Sequence, residues 1–347
     1  MGPRRRVEQT IGDVAVSASH TRAAGVELSA PSGPESQPFP FVWSLDRSSD
    51  VGRAMLTVTR RLAEISSDTP QLDAIVLLSF VLGVSKTWLY AHPTRELSES
   101  EIVHYEDLVR RRMRHEPVAY LIGVKPFYGL DIIVDRNVLS PRPETELLVD
   151  RVLDYLGSLA GEGRRLSLAD VGTGSGAVAV ALAANVPELT VYAVDVSDVA
   201  LAVAAQNVER HGLGGQVQLL LGQLLEPVPA RVDLIVANLP YIATADISAL
   251  PRQVRDYEPV LALDGGTDGL AVIADLLASL ALPPGRSKLR PGGRVYLEIG
   301  AGQGDAARTL VQDLLPDAEV AIVQDYADLD RLLIVALPGA TSQRSTR

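Results

Sequence analysis

Hydrophobic and polar positions change rhythm along this chain near residues 48, 117 and 138. Residues 1–48 carry no sustained period, and the stretch from Ser29 to Pro40 is rich in Ser, Pro and Gly. Such a segment buries too little apolar area to offset the entropy of ordering it, so 1–48 reads as a disordered extension. Residues 49–117 read as a helical domain. Leu72, Ile75, Val76, Ser79 and Phe80 recur at helical spacing and stop near Gly83. Ser98 followed by Glu101 is a capping box, opening a helix through Ile102, Tyr105, Leu108 and Val109 to Arg114. The cations that end it (Arg110, Arg111, Arg112 and Arg114) complement the helix dipole on a solvated face; a partner-docking patch is the sharper alternative. Residues 118–138, with Phe127-Tyr128-Gly129-Leu130 inside them, alternate and turn as a hairpin connector does.

Residues 139–338 form the third segment and leave 339–347 as a tail. Pro141 and Pro143 fix an extended approach, and Glu144 to Asp150 begin a helix with acids in its first turn. From about 165 onward, strand patterns at 166–171, 190–194, 217–221, 232–237, 294–299, 320–324 and 332–337 alternate with helical ones. The helical patterns fall at 172–185, 198–211, near 268–280 and near 303–315. Strands alternating with helices predict an α/β fold: a doubly wound, Rossmann-like sheet, mostly parallel, with a small N-terminal helical domain.

Composition narrows the function classes. The chain has 347 residues, 47% hydrophobic and 22% charged, enough for about two domains with a real core. Its 32 Lys+Arg against 43 Asp+Glu leave a net charge of -11, the wrong sign for holding nucleic acid by the overall field, although a local basic patch stays compatible with it. The absence of Cys excludes disulfides, thiol catalysis and thiolate zinc sites. The five His show no i, i+4 pairing, so no metal site is expected. No run reaches the ~20 apolar residues of a membrane span. The segment behind the basic Met1 to Arg6 is broken by Glu8, Gln9, Thr10 and Asp13, so it does not read as a signal peptide and a cytoplasmic location is expected.

Asp170-Val171-Gly172-Thr173-Gly174-Ser175-Gly176 sits at a strand-to-helix turn, where glycines let a ligand approach the backbone and helix-end amides point at it. The same residues satisfy G-x-G-x-x-A through Ala177, so the loop alone does not separate a dinucleotide from another nucleotide-like ligand. Asp195, ending the second strand, suits either as a carboxylate for ribose hydroxyls, and it also suits a simple capping turn. The discriminating feature is Asn238-Leu239-Pro240-Tyr241 at the end of the fourth strand. The Asn238 side-chain oxygen and the Leu239 carbonyl can accept both hydrogens of a planar NH₂ group and favour positive charge developing on its nitrogen. Pro240 confines Leu239 to extended conformations, and Tyr241 can stack on the planar group. A structural Asn-x-Pro turn is the competing account.

With these residues the chain resembles the peptide chain release factor glutamine methyltransferases, which use S-adenosylmethionine. The similarity covers roughly residues 55–336. It includes Pro117 to Gly123, Phe127 to Leu130, Leu139 to Val149 around Arg142-Pro143-Glu144-Thr145, the Gly172 loop and the Asn238 tetrapeptide. Tyr257-Glu258-Pro259, Asp264 to Leu270 and Leu297-Glu298-Ile299-Gly300 also belong to it. Arg142 to Thr145 is the most family-specific piece, since amine and DNA methyltransferases carry the other motifs without it. The resemblance implies a class I methyltransferase sheet that methylates the glutamine of the Gly-Gly-Gln loop of class I release factors, with residues 49–117 helping to grip the substrate. It assigns S-adenosylmethionine to Gly172, Thr173, Gly174, Ser175, Gly176, Asp195, Gln223, Leu224 and Asn238, and the glutamine amide to Asn238, Leu239, Pro240 and Tyr241. It implies no direct nucleic-acid or membrane partner and a monomer.

Two residues depart from the family pattern: Leu239 stands where Pro is usual, and Gln223 where Asp is frequent. Asn-Leu-Pro-Tyr is also the form of rRNA adenine dimethyltransferases, which keeps an adenine-amino methyltransferase as an alternative; a non-catalytic release-factor binder is another. A nicotinamide oxidoreductase is remote, because no hydride-side acid or base accompanies the glycine loop.

Overall fold

The computed structural model describes residues 43–65, 67–159, 165–281 and 287–339. The expected disordered extension lies outside the described residues except for 43–48, and the tail except for Gly339. Within 43–48, Leu45 is buried and its N–H donates to Glu106 Oε1 at 2.6 Å. The chain divides into two compact units, Met1–Arg110 and Arg111–Arg347.

The first unit is helical, with α1 (Val51–Ala63), α2 (Pro70–Leu82), α3 (Lys86–Ala91) and most of α4 (Glu99–Met113). The capping box at the start of α4 forms reciprocally. Ser98 N donates to Glu101 Oε2 at 2.8 Å, and Glu101 N to Ser98 Oγ at 3.3 Å. Helix α2 exists as expected but buries a different face. Ala74, Ile75, Leu77 and Leu78 are inside, while Leu72 and Phe80 are 48% and 45% exposed. Its sequence is apolar all round, so spacing alone could not choose the buried side. Tyr105 in α4 closes this core by donating to the Ala74 carbonyl at 2.8 Å.

The cationic end of α4 is occupied internally. Arg110 pairs with Glu106 at 2.9 Å, Arg111 with Glu116 at 2.6 Å, and Arg112 is buried and donates to the Glu116 carbonyl. Arg110 and Arg111 are paired with carboxylates and Arg112 is buried, so these three form neither the solvated face nor the docking patch that the sequence allowed.

The second unit opens with α5 (Val118–Ile122), bracketed by Pro117 and a left-handed Gly123, and then the hairpin β1 (Val124–Phe127) and β2 (Leu130–Ile133). The connector expected over 118–138 is thus a hairpin with a short helix before it. After α6 (Thr145–Ser158) the alternation begins: β3 (Ser167–Val171), α7 (Ala177–Asn185), β4 (Thr190–Asp195), α8 (Asp198–Arg210), β5 (Val217–Leu221) and β6 (Val232–Ala237). Short turns and α9 (Arg252–Arg255) lead to α10 (Ala271–Leu280), β7 (Leu289–Glu298), α11 (Gly304–Leu314), β8 (Glu319–Gln324) and β9 (Asp330–Ala336). Strand β7 is longer than expected because it runs through Pro291-Gly292-Gly293.

Among the described residues these strands form one seven-stranded sheet in the order β5-β4-β3-β6-β7-β9-β8, with β5 to β7 parallel and β9 antiparallel to both neighbours. Side chains alternate across it: Leu168 joins a core with α6, α7 and α8, while Ala169 joins one with α10 and α11. Strand order reverses between β3 and β6. In such sheets ligands bind beyond the carboxyl ends of the strands at that reversal. The glycine loop follows β3 and the Asn238 tetrapeptide follows β6, so both sequence motifs fall there.

Candidate active site

A cavity of about 320 Å³ opens at the reversal, lined by Gly172, Thr173, Gly174 and Ser175 on one side and by Asn238, Leu239 and Pro240 on the other. The loop turns sharply enough that Gly172 and Gly174 take φ of 73° and 55°. Such values strain any residue with a Cβ. The amides of Gly172 and Thr173 both donate to the Val194 carbonyl at 2.9 Å, tying the loop to β4. A Cβ on Gly174 would enter open space, whereas one on Gly172 would lie 3.0 Å from Leu239 Cδ2. The buried Leu239 side chain therefore packs against the glycine loop and couples the two motifs.

Asp195 holds the loop as well as lining the cavity. Its Oδ2 accepts from Gly174 N at 2.8 Å and its Oδ1 from Ser197 N at 3.0 Å. The cap of α8 is Ser197, which accepts from Ala200 N at 3.2 Å, so Asp195 is not the helix cap. Each Asp195 oxygen keeps a lone pair for a diol. Gln223 and Leu224 line the same cavity beyond β5, Leu224 with a positive φ of 47°. Gly176 is not in the lining; its bare Cα faces Ala204 of α8, where a Cβ would come within 3.2 Å.

Asp170, whose role no sequence motif indicates, is buried and lines the cavity. Its Oδ2 accepts from Thr173 Oγ1 at 2.6 Å and Ala179 N at 3.2 Å. Burial pushes its carboxyl up to about 6, with the Asp195 charge adding to the rise.

Around Asn238 the family segments converge. Asn238 Nδ2 donates to Thr145 Oγ1 at 3.1 Å, and Thr145 Oγ1 donates to Glu298 Oε2 at 2.6 Å. Tyr241 is not in the cavity lining; its hydroxyl donates to Glu298 Oε1 at 3.3 Å. Burial raises the Glu298 carboxyl and the Tyr241 phenol. Gln303 Nε2 donates to the Tyr241 carbonyl at 2.9 Å, and the Asp264 to Leu270 loop packs on the tetrapeptide backbone. A Cβ on Gly265 would lie 2.7 Å from the Pro240 carbonyl, so that contact needs glycine. Arg142 donates to the buried Glu258 at 2.6 Å. Among the described residues nothing donates to Asn238 Oδ1 or to the Leu239 carbonyl, which leaves two neutral acceptors beside the cavity.

Thr145 and Glu298 lay inside the quoted motifs, but only their separation of 153 residues closing to a hydrogen bond reveals what they do. Among the described residues no group of His, Asp and Glu could hold a metal ion, and no helix is long and apolar enough to cross a membrane.

Comparisons with known proteins match two family models to the chain. Residues 54–123 match the PrmC N-terminal domain and residues 145–265 the methyltransferase small domain. A release factor glutamine methyltransferase from Moorella thermoacetica is 39% identical over 283 residues, 81% of this chain and 96% of that protein. The one from Geobacter sulfurreducens is 39% identical over 267 residues, 77% of this chain and 87% of that protein. A third, from Gloeobacter violaceus, is 44% identical over 232 residues, 65% of this chain and 77% of that protein.

Proposed function

This chain belongs to the release factor glutamine methyltransferases, and from that membership we propose that it methylates the side-chain amide nitrogen of the glutamine in the Gly-Gly-Gln motif of class I release factors. The observation that carries the chemistry is the pair of free acceptors, Asn238 Oδ1 and the Leu239 carbonyl, at the edge of the glycine-loop cavity. A carboxamide NH₂ offers two hydrogens, and two acceptors in fixed positions orient its nitrogen toward the cavity. Both acceptors stabilise positive charge as it develops on that nitrogen. Pro240 holds the Leu239 carbonyl in direction, so Leu in place of the family's Pro at 239 leaves the acceptor in being. Tyr241, braced on Glu298, closes one side of the amide site against water.

The cavity fits S-adenosylmethionine: a glycine cradle with open space at Gly174, a carboxylate at Asp195 and a wall at Gln223 and Leu224. When bound, that group supplies an electrophilic methyl carbon. Gly172 to Ser175 would present backbone to its charged end, Asp195 would accept from its ribose hydroxyls, and Gln223 would accept from its adenine amino group through a neutral amide oxygen. We infer that the helical unit helps to grip the release factor, and that the chain acts in the cytoplasm on the translation machinery.

Incubation with isotope-labelled S-adenosylmethionine and a release factor, read by mass spectrometry, should find one added methyl on the Gly-Gly-Gln glutamine. Asn238→Ala should lower kcat by ~10²–10³-fold, the usual loss for one charge-stabilising donor or acceptor, without lowering the melting temperature. Label appearing in RNA and not in release factor would overturn the assignment in favour of an adenine-amino substrate.

A further inference from the structure

The hydrogen-bond chain behind Asn238 has a direction. Thr145 Oγ1 donates to Glu298 Oε2 at 2.6 Å and accepts from Asn238 Nδ2 at 3.1 Å. A hydroxyl has one proton to give. While Glu298 Oε2 takes it, Thr145 offers Asn238 only lone pairs, so the amide must turn Nδ2 toward Thr145 and leave Oδ1 for the cavity. The two ends of an Asn amide are nearly the same shape, and only polar partners can choose between them. The choice decides function: Oδ1 accepts from a substrate NH₂, whereas Nδ2 in its place would face hydrogen with hydrogen.

We propose that Glu298, acting through Thr145, is the positioning residue that fixes which end of the Asn238 amide meets the substrate. The proposal rests on the glutamine-amide reading above and adds the device that makes the site an acceptor. Glu298 ends β7, Thr145 opens α6 and Asn238 follows β6, so three separate elements must come together to build it. Glu298 and Thr145 are 2% and 3% exposed, which prevents water from substituting for either link. Tyr241 donates to the second oxygen of Glu298, so both carboxylate oxygens are held as acceptors.

The groups facing Glu298 work against one another. Burial and the Glu144 charge disfavour its ionised form, while Thr145, Tyr241 and the Arg331 charge favour it, and burial is the largest influence. A proton on Oε2 lets Glu298 donate to Thr145 and Thr145 donate to Asn238 Oδ1, which reverses the chain and presents Nδ2 to the cavity.

The test compares wild type with Thr145→Ser, Thr145→Val and Glu298→Gln, all with intact release factor and saturating S-adenosylmethionine. Thr145→Ser keeps the hydroxyl and should stay within about threefold of wild-type kcat, while Thr145→Val, of nearly the same shape, should lose ~10²-fold, the scale of a misoriented reactive group. Wild-type kcat should fall on the acid side as Glu298 takes a proton. Glu298→Gln accepts through Oε1 at every pH, so its kcat should stay close to the wild-type value at pH 8 and remain flat down to pH 5. Equal kcat for the Val and Ser variants, or an acid limb with the same midpoint in wild type and Glu298→Gln, would overturn the proposal. Wild type that leaves release factor unmethylated would instead overturn the reading beneath it.

Discussion

Asp170 shows how one residue's environment is set by what the fold needs around it. It ends neither strand nor helix alone: from β3 it accepts from Thr173 in the glycine loop and from Ala179 in the first turn of α7, so it joins strand, loop and helix at a single oxygen. Burial raises its carboxyl from 3.8 to about 6. Between those values the folded state binds more protons than the unfolded one, so this group's contribution to stability is full below about pH 4 and is lost as pH rises through about 6. A rise of that size corresponds to roughly 3 kcal/mol at neutral pH. Asp170→Asn keeps an acceptor for Thr173 and removes the charge. Its melting temperature relative to wild type should therefore climb as pH goes from 4.5 to 7.5; a gap that stays constant over that range would show that the fold does not raise the Asp170 carboxyl.

At the scale of elements, the segment from Arg142 to Thr145 is a clasp rather than a binding loop. Arg142 reaches Glu258 across 116 residues and Thr145 reaches Glu298 across 153, so four residues of chain fasten the start of α6 to the loop before Pro259 and to the end of β7. Glu258 is buried, and burial pushes its carboxyl up against the pull of Arg142. Removing one partner of a buried pair costs ~3–5 kcal/mol. The Arg142 side chain is 34% exposed, so water recovers part of this and Arg142→Ala should cost about 2–3 kcal/mol, measured by denaturant unfolding.

The same elements show what sequence can and cannot carry. The glycine loop, Asp195 and the Asn238 tetrapeptide were legible because glycine, proline and a strand-ending acid punctuate the chain locally, and one sheet reversal brings them to one cavity. Helix α5 was missed because Val118 to Ile122 is a short unbroken apolar run that periodicity alone cannot assign, although Pro117 before it and Gly123 after it form the start and stop signature of a helix. The first half of β7 was missed because Pro291-Gly292-Gly293 reads as a turn. The buried face of α2 was illegible because every side of it is apolar. The roles of Thr145, Asp170 and Glu298 depend on partners and burial that no local spacing encodes.

At the scale of the whole molecule, the groups proposed to carry the chemistry fall in one part of the chain. Among the described residues, those that line the cavity, the two acceptors and the Glu298 chain all lie within Arg111–Arg347. A pocket with the proposed role, clamping one NH₂ and one methyl donor, would hold very little of a release factor. Two hydrogen bonds to a neutral amide are worth about 0.5–1.5 kcal/mol each, far short of what selects one glutamine among all those in a cell. The remaining selectivity must come from surface remote from the reacting atoms, and binding energy of that kind is spent on holding the reactive group in place. A short Gly-Gly-Gln peptide should therefore be methylated at the same nitrogen but with kcat/KM about 10²-fold below that of the intact release factor, equivalent to ~2.7 kcal/mol of lost remote binding. Competition between peptide and intact release factor for labelled methyl, at equal concentrations, measures this ratio directly. A ratio near one would place the whole of the specificity in the cavity and leave the helical unit without the gripping role inferred for it.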